Sequence, residues 1–366
     1  MRVVIAKKLL STVGGSEMFA RALDRELRAL GHDVRLVGMR PAWSRPGIAE
    51  DTHSTYLGVR GGPVGAAIDG LLPTTLVSDD DLRRATAGAD VVHSIAREWA
   101  GALQRAAGAN KAAFVETPLV HPGQRFSGDS ATDIARYRAD DAVIALTEWE
   151  ARWYRDRGVA NVHVTGVGPN LATLPMVTRE PATILFVGRK ERYKGYHALR
   201  AAARIVWGER PDAKFVALGQ RAWNAFLSHA PSDPRWIERG VVSEAEKADA
   251  FARATVFAMP SEHETFGHTY LEAWLAGTPV IAGDIAPLRE VVRDGVDGLH
   301  ARNDARDVAD AILALLADPD GARRMGESGR QRVLREFTWP AVAKRTEAAY
   351  TAAIAAARTG AVGSRV

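Results

Sequence analysis

The stretch SEHETFGHTYLEA, residues 261–273, sets His263 and His268 with Glu262, Glu264 and Glu272 among apolar residues at helical spacing. Two chemistries want such a cluster: metal-assisted hydrolysis, and recognition of a ligand rich in hydroxyl groups. A zinc helix carries H-E-x-x-H, because histidines four apart project only about 40° from one another at about 100° per residue. His263 and His268 are five apart, which opens that angle to about 140°. Gly267 between them works against a continuous helix, and no third ligand stands at the usual spacing. The metal reading is therefore set aside.

On the second reading, 260–266 is a loop at the carboxyl end of a strand over 255–259, and Gly267 opens a helix over 267–276. In an open α/β sheet that is the edge where ligands bind. The helix start offers unpaired N–H groups that suit phosphate. Glu264 in the loop and Glu272 in the helix can each accept hydrogen bonds from vicinal diols, one on a ribose and one on a sugar ring; the plainer alternative is that Glu272 faces solvent. A second cluster, GRKERYKG over 188–195, follows the first strand of the second half. There Arg189 and Lys194 can neutralise a diphosphate leaving group, or simply form a solvated basic loop. A third, STVGGSE over 11–17, places Gly14 and Gly15 at a helix start, where backbone can approach an anion. A tight turn with a helix cap explains it about as well.

The elements that position these clusters are alternating strands and helices. Strands are predicted over 2–7, 34–39, 90–95, 111–116, 141–146 and 161–166, with a helix over 16–30 and another starting at Thr147, where Glu150 completes a capping-box pattern. Residues 168–182 break the rhythm with three prolines. Alternation restarts with strands over 183–188, 213–218, 238–242, 255–259 and 279–283, and helices over 195–207, 267–276 and 287–293. Short apolar runs alternating with helices predict α/β architecture: two Rossmann-like, doubly wound parallel-sheet domains facing a central cleft. The expected division is 1–170, a linker over 171–182, 183–339, a helix over 340–357 that crosses back to the first domain, and a frayed tail over 358–366. Residues 41–85, rich in Gly, Pro and Asp, show no clear pattern and are expected to hold a mobile acceptor loop or an insertion.

The bulk composition narrows the classes. A chain of 366 residues, 46% hydrophobic and 25% charged, with no cysteine, excludes disulfides and thiolate metal sites and favours the cytoplasm. No apolar run approaches the roughly 18 residues of a membrane span, and the opening run, interrupted by Lys7 and Lys8, is not expected to be a signal peptide. The net charge of +4 is not concentrated: residues 1–175 hold 21 basic and 20 acidic side chains, so no nucleic-acid partner is expected.

Together these segments resemble the retaining nucleotide-sugar glycosyltransferases of family 4, which have the GT-B fold. ETFGHTYLE over 264–272 is similar to the family's E-x7-E element, GRKERYKG to its G-R-x4-K-G element, and Gly14 and Gly15 to its phosphate-approaching loop. The resemblance implies that a hexosyl group passes from a nucleoside diphosphate sugar, UDP- or GDP-linked, to an acceptor hydroxyl with retention and without a metal or separate cofactor. Arg189 and Lys194 would hold the diphosphate, Glu264 the transferred sugar and Glu272 the ribose. Thr265, Phe266 and Gly267 would meet the phosphates or the sugar. Many members carry H-x-H at the end of a first-domain strand. Here His93 stands at the first position and Ile95 at the second, so either His93 is structural or another group makes the contact. His121 is the candidate substitute. His93, Trp99 and Trp43 are the candidate acceptor contacts, for a small-molecule, glycan or lipid-linked acceptor. The rivals are a sugar phosphorylase or nucleotide-sugar epimerase on the same fold, a non-catalytic nucleotide-sugar binder, and an NAD-dependent dehydrogenase, which the missing G-x-G-x-x-G argues against.

Overall fold

The computed structural model describes residues 1–10, 14–39, 54–60, 64, 76–124, 127–171, 173–221 and 233–359. They divide into two compact units, Met1–Val167 with Trp339–Val366, and Gly168–Thr338. The division falls at Gly168, ahead of the 171–182 expected as linker, and residue 339 goes with the first unit rather than the second.

In the first unit, short β-branched runs buried on both faces form a parallel sheet. Its strands are β1 (Arg2–Ala6), β2 (Asp33–Met39), β3 (Ser54–Leu57), β4 (Val91–Ile95), β5 (Ala113–Thr117), β6 (Ala142–Ala145) and β7 (Val162–Val164). The order is β3-β2-β1-β4-β5-β6-β7. Growth of the sheet therefore reverses between β1 and β4, the switch point where such folds open a crevice. The helices are α1 (Gly15–Ala29), α2 (Asp79–Ala85), α3 (Ala100–Ala109), α4 (Ala131–Ala139) and α5 (Glu148–Arg155). Both β3 and α2 fall in the region expected to lack pattern. β3 is a half-exposed edge strand with no apolar run to read, and α2 announces itself only by the cap at Ser78, whose hydroxyl accepts the Asp81 N–H at 3.1 Å.

The second unit has β8 (Thr183–Val187), α6 (Tyr196–Glu209), β9 (Lys214–Leu218), β10 (Trp236–Arg239), α7 (Glu244–Arg253), β11 (Val256–Met259), α8 (His268–Leu275), β12 (Val280–Gly283), α9 (Ala286–Val291), β13 (Gly298–Ala301), α10 (Ala305–Ala317) and α11 (Pro319–Glu336). The parallel order β10-β9-β8-β11-β12-β13 puts the switch point between β8 and β11. β10 begins two residues before the predicted 238, and β13, α10 and α11 add structure where no elements were predicted.

The closing helix, α12 (Trp339–Thr359), packs on α1 and across β4 to β7 of the first unit. Trp339 meets Phe19 edge-on at 5.6 Å, and the Tyr350 hydroxyl lies 2.8 Å from His93 Nδ1.

At α5 the predicted cap is altered. The Thr147 hydroxyl accepts the Glu150 N–H at 3.1 Å, but the Glu150 carboxylate bonds to the N–H of Leu146 at 2.7 Å and to the Tyr154 hydroxyl at 3.1 Å, not to the cap residue's own N–H. Burial pushes this carboxyl up from 4.5 to about 7. The folded state thus keeps a proton that the unfolded chain has lost, so stability falls as pH rises from about 4.5 to about 7, by ~3 kcal/mol. Glu150→Gln should therefore raise the melting temperature of the protein at pH 8 by several degrees and leave it unchanged near pH 4.5. A gain of the same size at both pH values in a thermal melt would contradict this.

Candidate functional site

The two segments flagged by their chemistry leave the two strands that flank the switch point of the second unit. GRKERYKG follows β8, and the loop 260–267 follows β11. Lys190 anchors the first of them. Its N–H bonds to the Gln220 carbonyl at 2.9 Å, and its buried ammonium reaches the Arg239 carbonyl at 2.6 Å and Glu238 at 3.2 Å. Glu238 is held down at about 2: burial alone would raise it, but Arg221, Tyr196 and Lys190 outweigh that. The anchor fixes the start of the loop, and the Tyr193 carbonyl then ties it to the second loop by accepting the Glu262 N–H at 2.7 Å and the Ser261 hydroxyl at 3.2 Å.

Lys194 and Glu264 meet directly. Their Nζ and Oε1 atoms are 2.6 Å apart, with only 15% and 12% of the side chains exposed. Expected to meet separate partners, diphosphate and sugar, the two side chains form a pair. Arg189 is more open, 62% exposed, with its guanidinium bonded to the Tyr193 hydroxyl and 3.5 Å from Glu191.

Gly267 turns the chain into α8 with a left-handed φ of 90° and, having no side chain, leaves the helix start without a side-chain cap. Phe266 is buried edge-on against Phe337 at 5.2 Å, which holds the loop down beside that start, and Thr265 is half-buried. The two histidines go to different partners: His263 packs on the Tyr193 ring at 6.2 Å, and His268 Nδ1 sits 2.9 Å from the Gly168 carbonyl. Nothing brings them to a common ion.

Glu272 does not face solvent. Its side chain is 2% exposed, one oxygen, Oε1, lies 3.2 Å from Lys247 Nζ, and the other, Oε2, is buried with no hydrogen-bond partner. Burial raises its pKa, and Lys247, with a weaker pull from the Asn170 backbone, only partly offsets this. Lys247 itself is raised: burial would lower it, but Glu272 and Glu244, the latter 2.9 Å away, overcome that. One lysine thus serves two carboxylates, and the buried one is left under-satisfied. A carboxylate oxygen buried without a donor costs about 1–3 kcal/mol or more, so it calls for a partner such as a water, an ion or a ligand hydroxyl.

The first-unit candidates fare differently. At the start of α1, the space a side chain at Gly14 would fill is taken by the Glu17 carboxylate, and Gly15 is exposed. Glu17 is in turn 3.3 Å from Lys7, which also lies 3.3 Å from Glu98. A negative group of the protein's own thus sits at this helix start in the structure, and the phosphate contact expected of Gly14 and Gly15 stays a proposal. His93 is fully buried, with Nε2 2.7 Å from the Thr117 hydroxyl as well as Nδ1 on Tyr350, and burial pulls its pKa down to about 3. It is a neutral peg joining α12 to the sheet, not an acceptor contact. Trp99 caps α3 inside the apolar core, 2% exposed, and is not available to stack on a ligand. His121 is half-buried in the turn after β5, where its carbonyl accepts the Gln124 N–H at 3.1 Å. Trp43 lies outside the described residues.

Lys190 and Lys247 were missed. Lys190 stood inside a quoted motif, but nothing in its spacing separates a buried lysine from a solvated one. Lys247 stands three residues after Glu244, a pattern that reads as a surface helix pair; its second partner is 25 positions away.

Comparison with known proteins adds the family. Residues 14–170 match the Glycosyl transferase 4-like domain, and residues 177–332 match Glycosyl transferases group 1. An alpha-maltose-1-phosphate synthase of Mycolicibacterium smegmatis is 34% identical over 178 residues, 44% of this chain and 46% of its own, so the match spans less than half of that relative. A glycogen synthase of Mycobacterium tuberculosis is 28% identical over 386 residues, covering 93% of this chain and 92% of its own. Among solved structures, the Anabaena protein HepE in complex with UDP and glucose superposes with a TM-score of 0.74 at 15% identity, over 96% of this chain and 99% of that one. Among the described residues no helix is long and apolar enough to cross a membrane.

Proposed function

This chain belongs to the family 4-type glycosyltransferases with the GT-B fold, and on that footing we propose that it moves a hexose from a nucleoside diphosphate to an acceptor hydroxyl, with retention of anomeric configuration and without a metal. The observation that carries the proposal is Glu272: a buried carboxylate with one oxygen lacking a donor, in a helix whose start is uncapped. A ribose hydroxyl satisfies the first and a phosphate the second. Relatives named for glycogen and maltose-1-phosphate synthesis, and a neighbour in fold solved with UDP and glucose, support a hexose on a nucleoside diphosphate.

We assign the roles within the second unit. An ammonium has three N–H donors. Lys194 spends one on Glu264 and has two for diphosphate oxygens, while exposed Arg189 supplies a second cation. Glu264, oriented by Lys194, accepts a hydroxyl of the transferred sugar. The acceptor oxygen bonds to the anomeric carbon as the bond to the leaving phosphate breaks, and that phosphate takes the acceptor proton. His121 is retained as the candidate catalytic histidine of the first unit.

A thermal-shift series with UDP, GDP, ADP and dTDP tests the donor site. At least one ribonucleoside diphosphate should raise the melting temperature of the parent, and Glu272→Gln should lose most of that rise. Equal shifts in parent and variant would remove Glu272 from the site.

A further inference from the structure

Lys247 belongs to a different helix from Glu272 and to neither flagged cluster, yet its ammonium is the group that meets this buried carboxylate. The Lys247 side chain is 15% exposed, Glu272 is 2% exposed, and the contact engages Oε1 alone at 3.2 Å. Lys247 is itself held from the other side by Glu244, at 2.9 Å and 63% exposed, in the first turn of α7. That turn is fixed by a full capping box between Ser243 and Glu246, with bonds of 3.2 Å and 3.0 Å. The lysine therefore projects from a rigid helix start, and its direction is set by a surface carboxylate.

We propose that Lys247 is a positioning residue for the donor site: by holding Oε1 it fixes the Glu272 carboxylate and leaves Oε2, the oxygen without a protein donor, to be met by a ribose hydroxyl. The inference rests on the reading of Glu272 as a ribose contact. It also sharpens that reading, because Lys247 already takes one acceptor site of Oε1 while both sites of Oε2 are open, which makes Oε2 the stronger acceptor for the diol. The stronger of the two ribose contacts then forms at Oε2.

The electrostatics agree. Burial already disfavours the charged form of Glu272, and Lys247 is the cation opposing it, with Glu244 beside it as a like charge. On α8 itself His268 is held neutral by burial and adds no compensating charge. Removing the lysine raises the Glu272 pKa further. A protonated Glu272 presents less acceptor to the hydroxyl, so binding weakens as pH falls through the raised pKa and returns as pH rises above it.

The test is calorimetric titration with UDP and with GDP from about pH 6 to about pH 9, on the parent, Lys247→Met, Lys247→Arg, Glu272→Gln and the Lys247→Met/Glu272→Gln double variant. Lys247→Met should bind about tenfold more weakly than the parent near neutral pH, and its profile should be displaced to higher pH. Lys247→Arg, which keeps the charge, should stay within about threefold. Glu272→Gln sets the baseline, including titration of the nucleotide's own phosphate, and the double variant should match it because the partner charge is gone. If Glu272→Gln weakens binding but Lys247→Met follows the parent profile, the role of Lys247 is overturned and the ribose contact stands. If Glu272→Gln binds as tightly as the parent, the ribose contact itself falls, and the inference with it. A double variant that binds more weakly than Glu272→Gln alone assigns Lys247 a contact other than Glu272 and overturns the proposal.

Discussion

Lys194→Ala is expected to lower kcat/KM for sugar transfer by about a thousandfold, mostly in kcat, because in the proposed role a cation facing the leaving diphosphate acts on charge that grows in the transition state. The variant also leaves Glu264, only 12% exposed, without the ammonium 2.6 Å away. A buried carboxylate stripped of its partner takes up a proton or draws in water, and either outcome removes it as an oriented acceptor. The two losses therefore fall together. Glu264→Gln alone should cost about a hundredfold, and adding it to Lys194→Ala should cost little more, since residues that act as a unit are not additive. Lys194→Arg keeps the charge but replaces a compact point donor with a planar fork, and should recover only part of the rate. Initial rates with saturating acceptor and varied donor separate the cases. Additive losses would mean that Lys194 and Glu264 act on different parts of the donor, as sequence reasoning first had it.

The second large effect is steric. Gly283 ends β12 beside the loop that follows β11, and a Cβ there would run into the Ser261 carbonyl. Ser261 is buried, and its hydroxyl bonds to the carbonyls of Tyr193 and His263, so the collision is with the segment that joins both loops of the site. Backbone cannot step aside as a flexible side chain can. Gly283→Ala should destabilise the protein by about 2–3 kcal/mol and lower transfer as the loop bearing Glu264 shifts. Gly208→Ala is the control: it lies within α6, a Cβ there meets nothing within 4 Å, and the change should stabilise by about 0.5–1 kcal/mol. Denaturant melts of the two variants should move in opposite directions. A neutral Gly283→Ala would show that this loop has slack the packing does not suggest.

Much of the fold was legible, and the reason lies in burial. β1, β4, β8 and β11 read clearly because strands covered on both faces must be continuous apolar runs. These are the strands that define both switch points, so the positions of the loops carrying Arg189, Lys194 and Glu264 followed from the alternation of elements. β3 was not legible, since an edge strand of Ser, Thr, Tyr and Leu needs no such run. The fate of individual polar residues was harder still. His93 and Glu272 are both buried polar groups, yet one is fully satisfied by Thr117 and Tyr350 while the other keeps an open oxygen. That distinction depends on partners 24, 257 and 25 residues away, and no local pattern encodes it. Gly14 illustrates the same limit: the space its missing side chain leaves is taken in this structure by the Glu17 carboxylate.

The central claim is transfer of a hexose from a nucleotide to an acceptor by the site built around Glu264, Lys194 and Glu272. The direct measurement incubates the parent and Glu264→Gln with UDP- and GDP-hexoses labelled in the sugar. Each is run with and without a panel of polyols, sugar phosphates, oligosaccharides and lipid extracts, and the label is followed out of the nucleotide. Label should move to a new product only when an acceptor is present, and Glu264→Gln should lose most of that movement. Product that forms equally well without acceptor, or a Glu264→Gln variant as fast as the parent, would contradict it.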